Sequence, residues 1–126
     1  MKLKEVPQGL RIWFLVHFVA DLIFAIPLIF FPDWIFGLFG FTVIEPTTSR
    51  LLGAGLIGIG GASLFAYKKG KESFDILLTL KILWSLSAIL ILLFSIIDGA
   101  PKTLWLITAI FTVFSSVWIY YKIKLQ

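Results

Sequence analysis

The chain has 126 residues, of which 60% are hydrophobic, 17% aromatic and only 14% charged. A soluble domain of that composition would lack a polar exterior, so the chain reads as an integral membrane protein. It contains no cysteine, which excludes disulfides, thiol catalysis, cysteine-ligated metals and palmitoylation, and its net charge of +4 has a simple origin in lysines facing anionic headgroups, so no nucleic-acid partner is needed.

Four apolar stretches, over residues 10–31, 50–67, 73–97 and 102–121, are each near the ~20 residues that cross ~30 Å of hydrocarbon at 1.5 Å per residue. The expected fold is an all-α, four-span membrane bundle forming one domain over residues 1–126. The first stretch is longer than the apolar core of a signal peptide, contains Asp21, and runs into Pro32-Asp33-Trp34 rather than a small-residue cleavage site. It therefore counts as the first span. Within it His17 and Asp21 are four residues apart, on one helical face, ~10 and ~16 Å in from Leu10. Pro27 frees the carbonyl of Ile23 and is expected to kink the outer half.

The segment from Pro32 to Phe41 is too apolar for a solvated loop and too short to span. Pro32 suits a first helical turn, Asp33 favours an N-terminus, and Trp34 with the phenylalanines matches a short interfacial helix, either a passive anchor or a lid. Glu45-Pro46-Thr47-Thr48-Ser49 resembles a helix start with a hydroxyl cap, and Arg50 is expected to reach the headgroups or pair with Glu45 or Asp33. In the second span Ala54, Gly58 and Ala62 form a small-residue stripe at i,i+4 spacing. Such a stripe lets another backbone approach closely, making this helix central to the bundle or to an oligomer; the same glycines would alternatively let the helix unwind beside a cavity.

The third span carries Lys81, ~12 Å in from Ser73 and so in the depth band of His17 and Asp21. An acid or a lysine at a helix centre costs roughly 2.5–3.5 kcal/mol, so a buried polar or proton-relay cluster of His17, Asp21 and Lys81 would relieve two such costs; the alternative is that Lys81 snorkels to the headgroups. Ser85, Ala88 and Ser95 share the face of Lys81, and Thr108, Thr112 and Ser115 line one face of the fourth span. These hydroxyls either line a polar interior or join helices.

Basic residues set the expected orientation. Lys2, Lys4, Arg11, Lys68, Lys69, Lys71, Lys122 and Lys124 lie on one side and Arg50 and Lys102 on the other, so both termini are expected in the cytoplasm. For catalysis the inventory is thin: one histidine, no cysteine and no hydrolase or phosphate-loop motif are present. No catalytic residue, metal or cofactor is expected.

The order Pro32, a Phe-Gly interfacial piece, Pro46, Arg50-Leu51-Leu52-Gly53 and a glycine-rich span resembles small four-helix membrane families, DoxX-like proteins among them, over the first half of the chain. Size and span number also look like the small multidrug-resistance exporters, whose first-helix carboxylate serves proton-coupled exchange. That resemblance implies such a role for Asp21, although His17 before it and Leu22 after it depart from the exporter pattern. The expected function is a non-enzymatic binding or assembly component, a homo-oligomer or a subunit of a larger membrane complex in contact with membrane lipids. A proton-coupled transporter or channel stands second and a lipid-modifying enzyme third.

Overall fold

The computed structural model describes residues 6–126, which form helices and turns without a strand: α1 (Gln8–Phe30), α2 (Pro32–Leu38), α3 (Pro46–Ala66), α4 (Lys71–Ile97) and α5 (Leu104–Leu125). At 23, 21, 27 and 22 residues, α1, α3, α4 and α5 are each long and apolar enough to cross a membrane. The all-α class and the four long apolar helices are as the sequence predicts. Lys2 and Lys4, which count toward the expected cytoplasmic side, lie outside the described residues. Contacts divide the chain into two compact units, Met1–Phe74 and Asp75–Gln126.

In the first unit α1 and α3 run antiparallel, and each buries a row of residues spaced alternately near three and four. In α1 the row is Leu10, Phe14, His17, Asp21, Ala25 and Leu28; in α3 it is Ser49, Gly53, Leu56, Gly60, Ser63 and Ala66. This spacing averages close to 3.5, the repeat that keeps one seam facing a partner helix. The approach is close enough that a Cβ at Gly53 would stand 2.6 Å from Ile29 Cγ1 and 3.1 Å from the Ala25 carbonyl oxygen.

Both ends of the pair are tied by an arginine. A helix leaves its last four carbonyls without intrahelical donors, and a cation there also complements the helix dipole. At one end Arg11 Nη1 of α1 donates to the Tyr67 and Lys69 carbonyls just beyond α3, at 2.6 and 2.9 Å. The guanidinium lies 5.2 Å above the Phe74 ring, which packs on Phe14 with centroids 4.4 Å apart. At the other end Ser49 Oγ donates to the Leu28 carbonyl at 2.7 Å and Arg50 Nε to the Ile29 carbonyl at 3.1 Å. Arg50 Nε hydrogen-bonds the carbonyl end of α1, which its place at the start of an antiparallel neighbour makes available, and its charge also acts on Glu45, one of the acids the sequence offers it.

α2 forms as the sequence predicts, with Pro32 at its first turn. It touches both α1 and α3 and buries Pro32 and Ile35. It ends at Gly40, whose φ of 92° allows the turn in which Phe41 N donates to the Phe36 carbonyl and Gly40 N to the Gly37 carbonyl, both at 3.0 Å. The Phe36 and Phe41 rings meet edge to face at 5.4 Å, the apolar contact that accompanies this helix ending. α3 then starts at Pro46, earlier than the expected residue 50, because its N-cap is Glu45 and not a hydroxyl. The Glu45 carboxylate accepts from Thr48 N at 2.7 Å and from Thr48 Oγ1 at 3.1 Å. That first donor holds the exposed Glu45 carboxyl below its ordinary pKa.

In the second unit α4 and α5 pair antiparallel. Gly99, at φ 102°, ends α4 with the same motif, Ala100 N donating to the Ser95 carbonyl at 2.9 Å and Gly99 N to the Ile96 carbonyl at 3.2 Å. Pro101 follows, where a helix cannot continue. At the far end Lys122 Nζ donates to Asp75 Oδ1 at 2.7 Å and Thr79 Oγ1 at 2.9 Å, joining the end of α5 to the start of α4. Between them Trp84 and Phe111 meet edge to face at 5.8 Å.

Candidate functional site

α1 places His17 and Asp21 on either side of its midpoint and turns both inward. His17 and Asp21 are 4% and 6% exposed, and His17 Nε2 stands 3.4 Å from Asp21 Oδ1. Their i,i+4 spacing brings the side chains one above the other on the face that packs against α3. An imidazole and a carboxylate so placed can hold one proton between them or carry opposite charges.

The partner surface on α3 is backbone. A Cβ built on Gly60 would lie 2.9 Å from Asp21 Cβ and 3.1 Å from Asp21 Oδ2, so the carboxylate rests against α3 where only glycine leaves room. In the sequence Gly60 is one of several glycines in the span and nothing in the span alone singles it out. The signal that finds it is the alternating spacing of Leu10, Phe14, His17 and Asp21 on α1, which demands a matching row on the antiparallel helix.

Lys81 belongs to the second unit, on α4. It is 1% exposed, so the ammonium does not extend to the protein surface as snorkelling requires. Its Nζ lies 4.9 Å from the centre of the Trp118 ring, itself 1% exposed. A cation over an indole face is attracted by the ring quadrupole, worth about 2 kcal/mol when desolvated. A tryptophan near the end of a span ordinarily marks the interface, so the sequence alone does not single out Trp118.

The hydroxyl rows are used locally. Thr108 Oγ1 donates to the Leu104 carbonyl at 2.9 Å and Thr112 Oγ1 to the Thr108 carbonyl at 2.8 Å, while Ser85 Oγ donates to the Ile82 carbonyl at 3.3 Å. These bonds return to the same helix, satisfying the hydroxyl without a neighbour. Ser85, Thr108 and Ser115 are buried and Thr112 is exposed. Ser115 Oγ is buried without a hydrogen-bond partner among the described residues.

Ala54, Gly58 and Ala62 do not form the α1–α3 seam. Ala54 and Gly58 are exposed and Ala62 is half-buried, and a Cβ added at Gly55, Gly58 or Gly61 would meet nothing within 4 Å. α3 thus has small residues on two faces, one holding α1 and the other open. Among the described residues no cluster of three or more His, Cys, Asp or Glu side chains could hold a metal ion. No protein-family model, curated protein or solved structure matches the chain.

Proposed function

We propose that this is a multi-pass membrane protein whose role is assembly: copies of the chain associate through the outer face of α3, and the His17–Asp21 pair is part of the packing of α1 on α3. The observation that carries this reading is the open small-residue face around Gly55, Gly58 and Gly61. In lipid, helices associate through van der Waals contact, and small side chains permit the closest approach. The contact of Asp21 with the backbone at Gly60 favours a packed role over a solvated one. Both termini lie in the cytoplasm on this reading, following the distribution of lysines and arginines.

Because the chain has no cysteine, Gly58→Cys is a direct test. Oxidation in native membranes yields a disulfide-linked dimer, while Val19→Cys, on an exposed part of α1, stays monomeric. Monomer at both positions overturns the reading.

The second reading, proton-coupled transport, is favoured by the buried His17–Asp21 pair alone, since intramembrane acids mark proton relays. Vesicles reconstituted with the protein and challenged with a pH gradient decide it. Assembly predicts proton flux equal to that of empty vesicles; flux that Asp21→Asn abolishes establishes the transporter.

A further inference from the structure

We infer that α2 is a fixed interfacial anchor, with Trp34 and Leu38 inserted at the headgroup–acyl boundary of the bilayer. The sequence leaves a lid and an anchor open, and the structure separates them. A lid must swing on its connections, whereas α2 is held along one side and at both ends. Pro32 and Ile35 are buried, the helix touches both α1 and α3, the chain turns into it at Phe31 and Pro32 directly after α1, and the Phe36–Phe41 contact closes its far end.

A neighbouring face of α2 is apolar and exposed. Trp34 and Leu38, four residues apart and so on one side of the helix, are 60% and 63% exposed, and Phe30 and Phe31 at the junction are 68% and 59% exposed. The occupant of this surface is set by its neighbours. α1 ends at Phe30 and α3 begins at Pro46, so α2 lies at the level where two spans leave the hydrocarbon. The exposed charged residues Asp33, Glu45 and Arg50 lie at the same end. Aromatic residues beside charges at that level fit the interface, where an indole has an apolar body in the acyl region and an N–H among the headgroups. The inference rests on the reading that α1 and α3 span a bilayer.

Nitroxide labels on single cysteines at positions 19, 34, 38 and 47, in vesicles of a neutral phosphatidylcholine, test it. Collision with oxygen, which partitions into the acyl region, is compared with collision with a water-soluble nickel chelate. Val19→Cys, at the midpoint of α1, reports the hydrocarbon; Thr47→Cys, exposed at the start of α3, reports the aqueous side. The expected result is that Trp34→Cys and Leu38→Cys both fall between these limits, with oxygen collisions exceeding those at position 47. Collision ratios at 34 and 38 equal to those at 47 overturn the anchor, as does shielding from both reagents, which would show a protein contact. If Trp34→Cys fails to fold, Leu38→Cys carries the test. Nickel access at position 19 would instead refute the spanning of α1 and so distinguishes failure of that reading from failure of the anchor.

Discussion

Replacing Gly60 by alanine places a methyl 2.9 Å from Asp21 Cβ and 3.1 Å from Asp21 Oδ2, closer than carbon and oxygen atoms pack without displacement. Either the helices separate by a few tenths of an ångström or the carboxylate turns away from α3, and overpacking of this kind costs about 1–3 kcal/mol. Against it stands the gain in helix propensity of alanine over glycine, about 1 kcal/mol. The net expectation is a loss of about 0–2 kcal/mol for Gly60→Ala, and a larger loss for Gly60→Leu, whose added carbons cannot fit. Gly58 is the control, because nothing lies within 4 Å of a Cβ built there. Gly58→Ala leaves the folded chain as stable or more stable by up to about 1 kcal/mol, and Gly58→Leu lowers association between copies without unfolding the chain. Reversible unfolding in mixed micelles, followed by circular dichroism, measures the first quantity, and size-exclusion chromatography with light scattering the second. A Gly60→Leu chain as stable as the parent, or a Gly58→Leu chain that unfolds as a monomer, would refute the assignment of the two α3 faces.

Cysteines at Gly70 and Thr42 are expected on opposite sides of the membrane, so an impermeant maleimide added to intact cells labels position 42 and spares position 70; labelling of both from outside contradicts the topology. Arg11→Met removes the donor to the Tyr67 and Lys69 carbonyls and is expected to cost about 1.5–3 kcal/mol, the range for hydrogen bonds to a charged group, seen as a lower unfolding midpoint; an unchanged midpoint means that these contacts carry no stability. The pKa of Glu45 is depressed in the folded chain below its ordinary 4.5. Its cap on α3 therefore contributes fully above that ordinary value and is lost as pH falls through the folded pKa beneath it. Amide exchange at Thr48, corrected for intrinsic rates, should lose protection over that acid range, and Glu45→Gln should remove the pH dependence; protection constant to low pH would contradict the cap.

Much of the fold is legible in the sequence because lipid imposes a coarse requirement: about 20 apolar residues in a row leave only a spanning helix. Helix ends are less legible. Gln8 and Gly9 precede the apolar run, and Lys122 and Lys124 follow it, yet all four are helical, since backbone hydrogen bonding continues beyond the residues that carry hydropathy. Glu45 is an uncommon cap, and nothing in its composition distinguishes it from a solvated loop residue until the bond to Thr48 N is seen. The pairing of His17 with Asp21 was readable from spacing alone, because four residues on a helix are one turn.

The packing face of α3 was not readable in the same way. Small residues occur on both sides of that helix, and Ala54, Gly58 and Ala62 have the more regular spacing, yet a strict i,i+4 row drifts around the helix. The row Ser49, Gly53, Leu56, Gly60 and Ser63 alternates fours and threes and so stays in line with α1. Recognising it requires reading α1 and α3 together. The inward turn of Lys81 toward Trp118 depends on the pairing of α4 with α5, which neither span reveals by itself.

The central claim, association of copies through the outer face of α3, is tested most directly by native mass spectrometry on particles excised from the membrane by an amphipathic polymer without detergent. The account predicts a discrete species at an integer multiple of the 14.2 kDa chain, shifted to the single-chain mass by Gly58→Leu and left in place by Ile57→Leu. A single-chain mass for the parent, or a multimer that Gly58→Leu leaves intact, would contradict it.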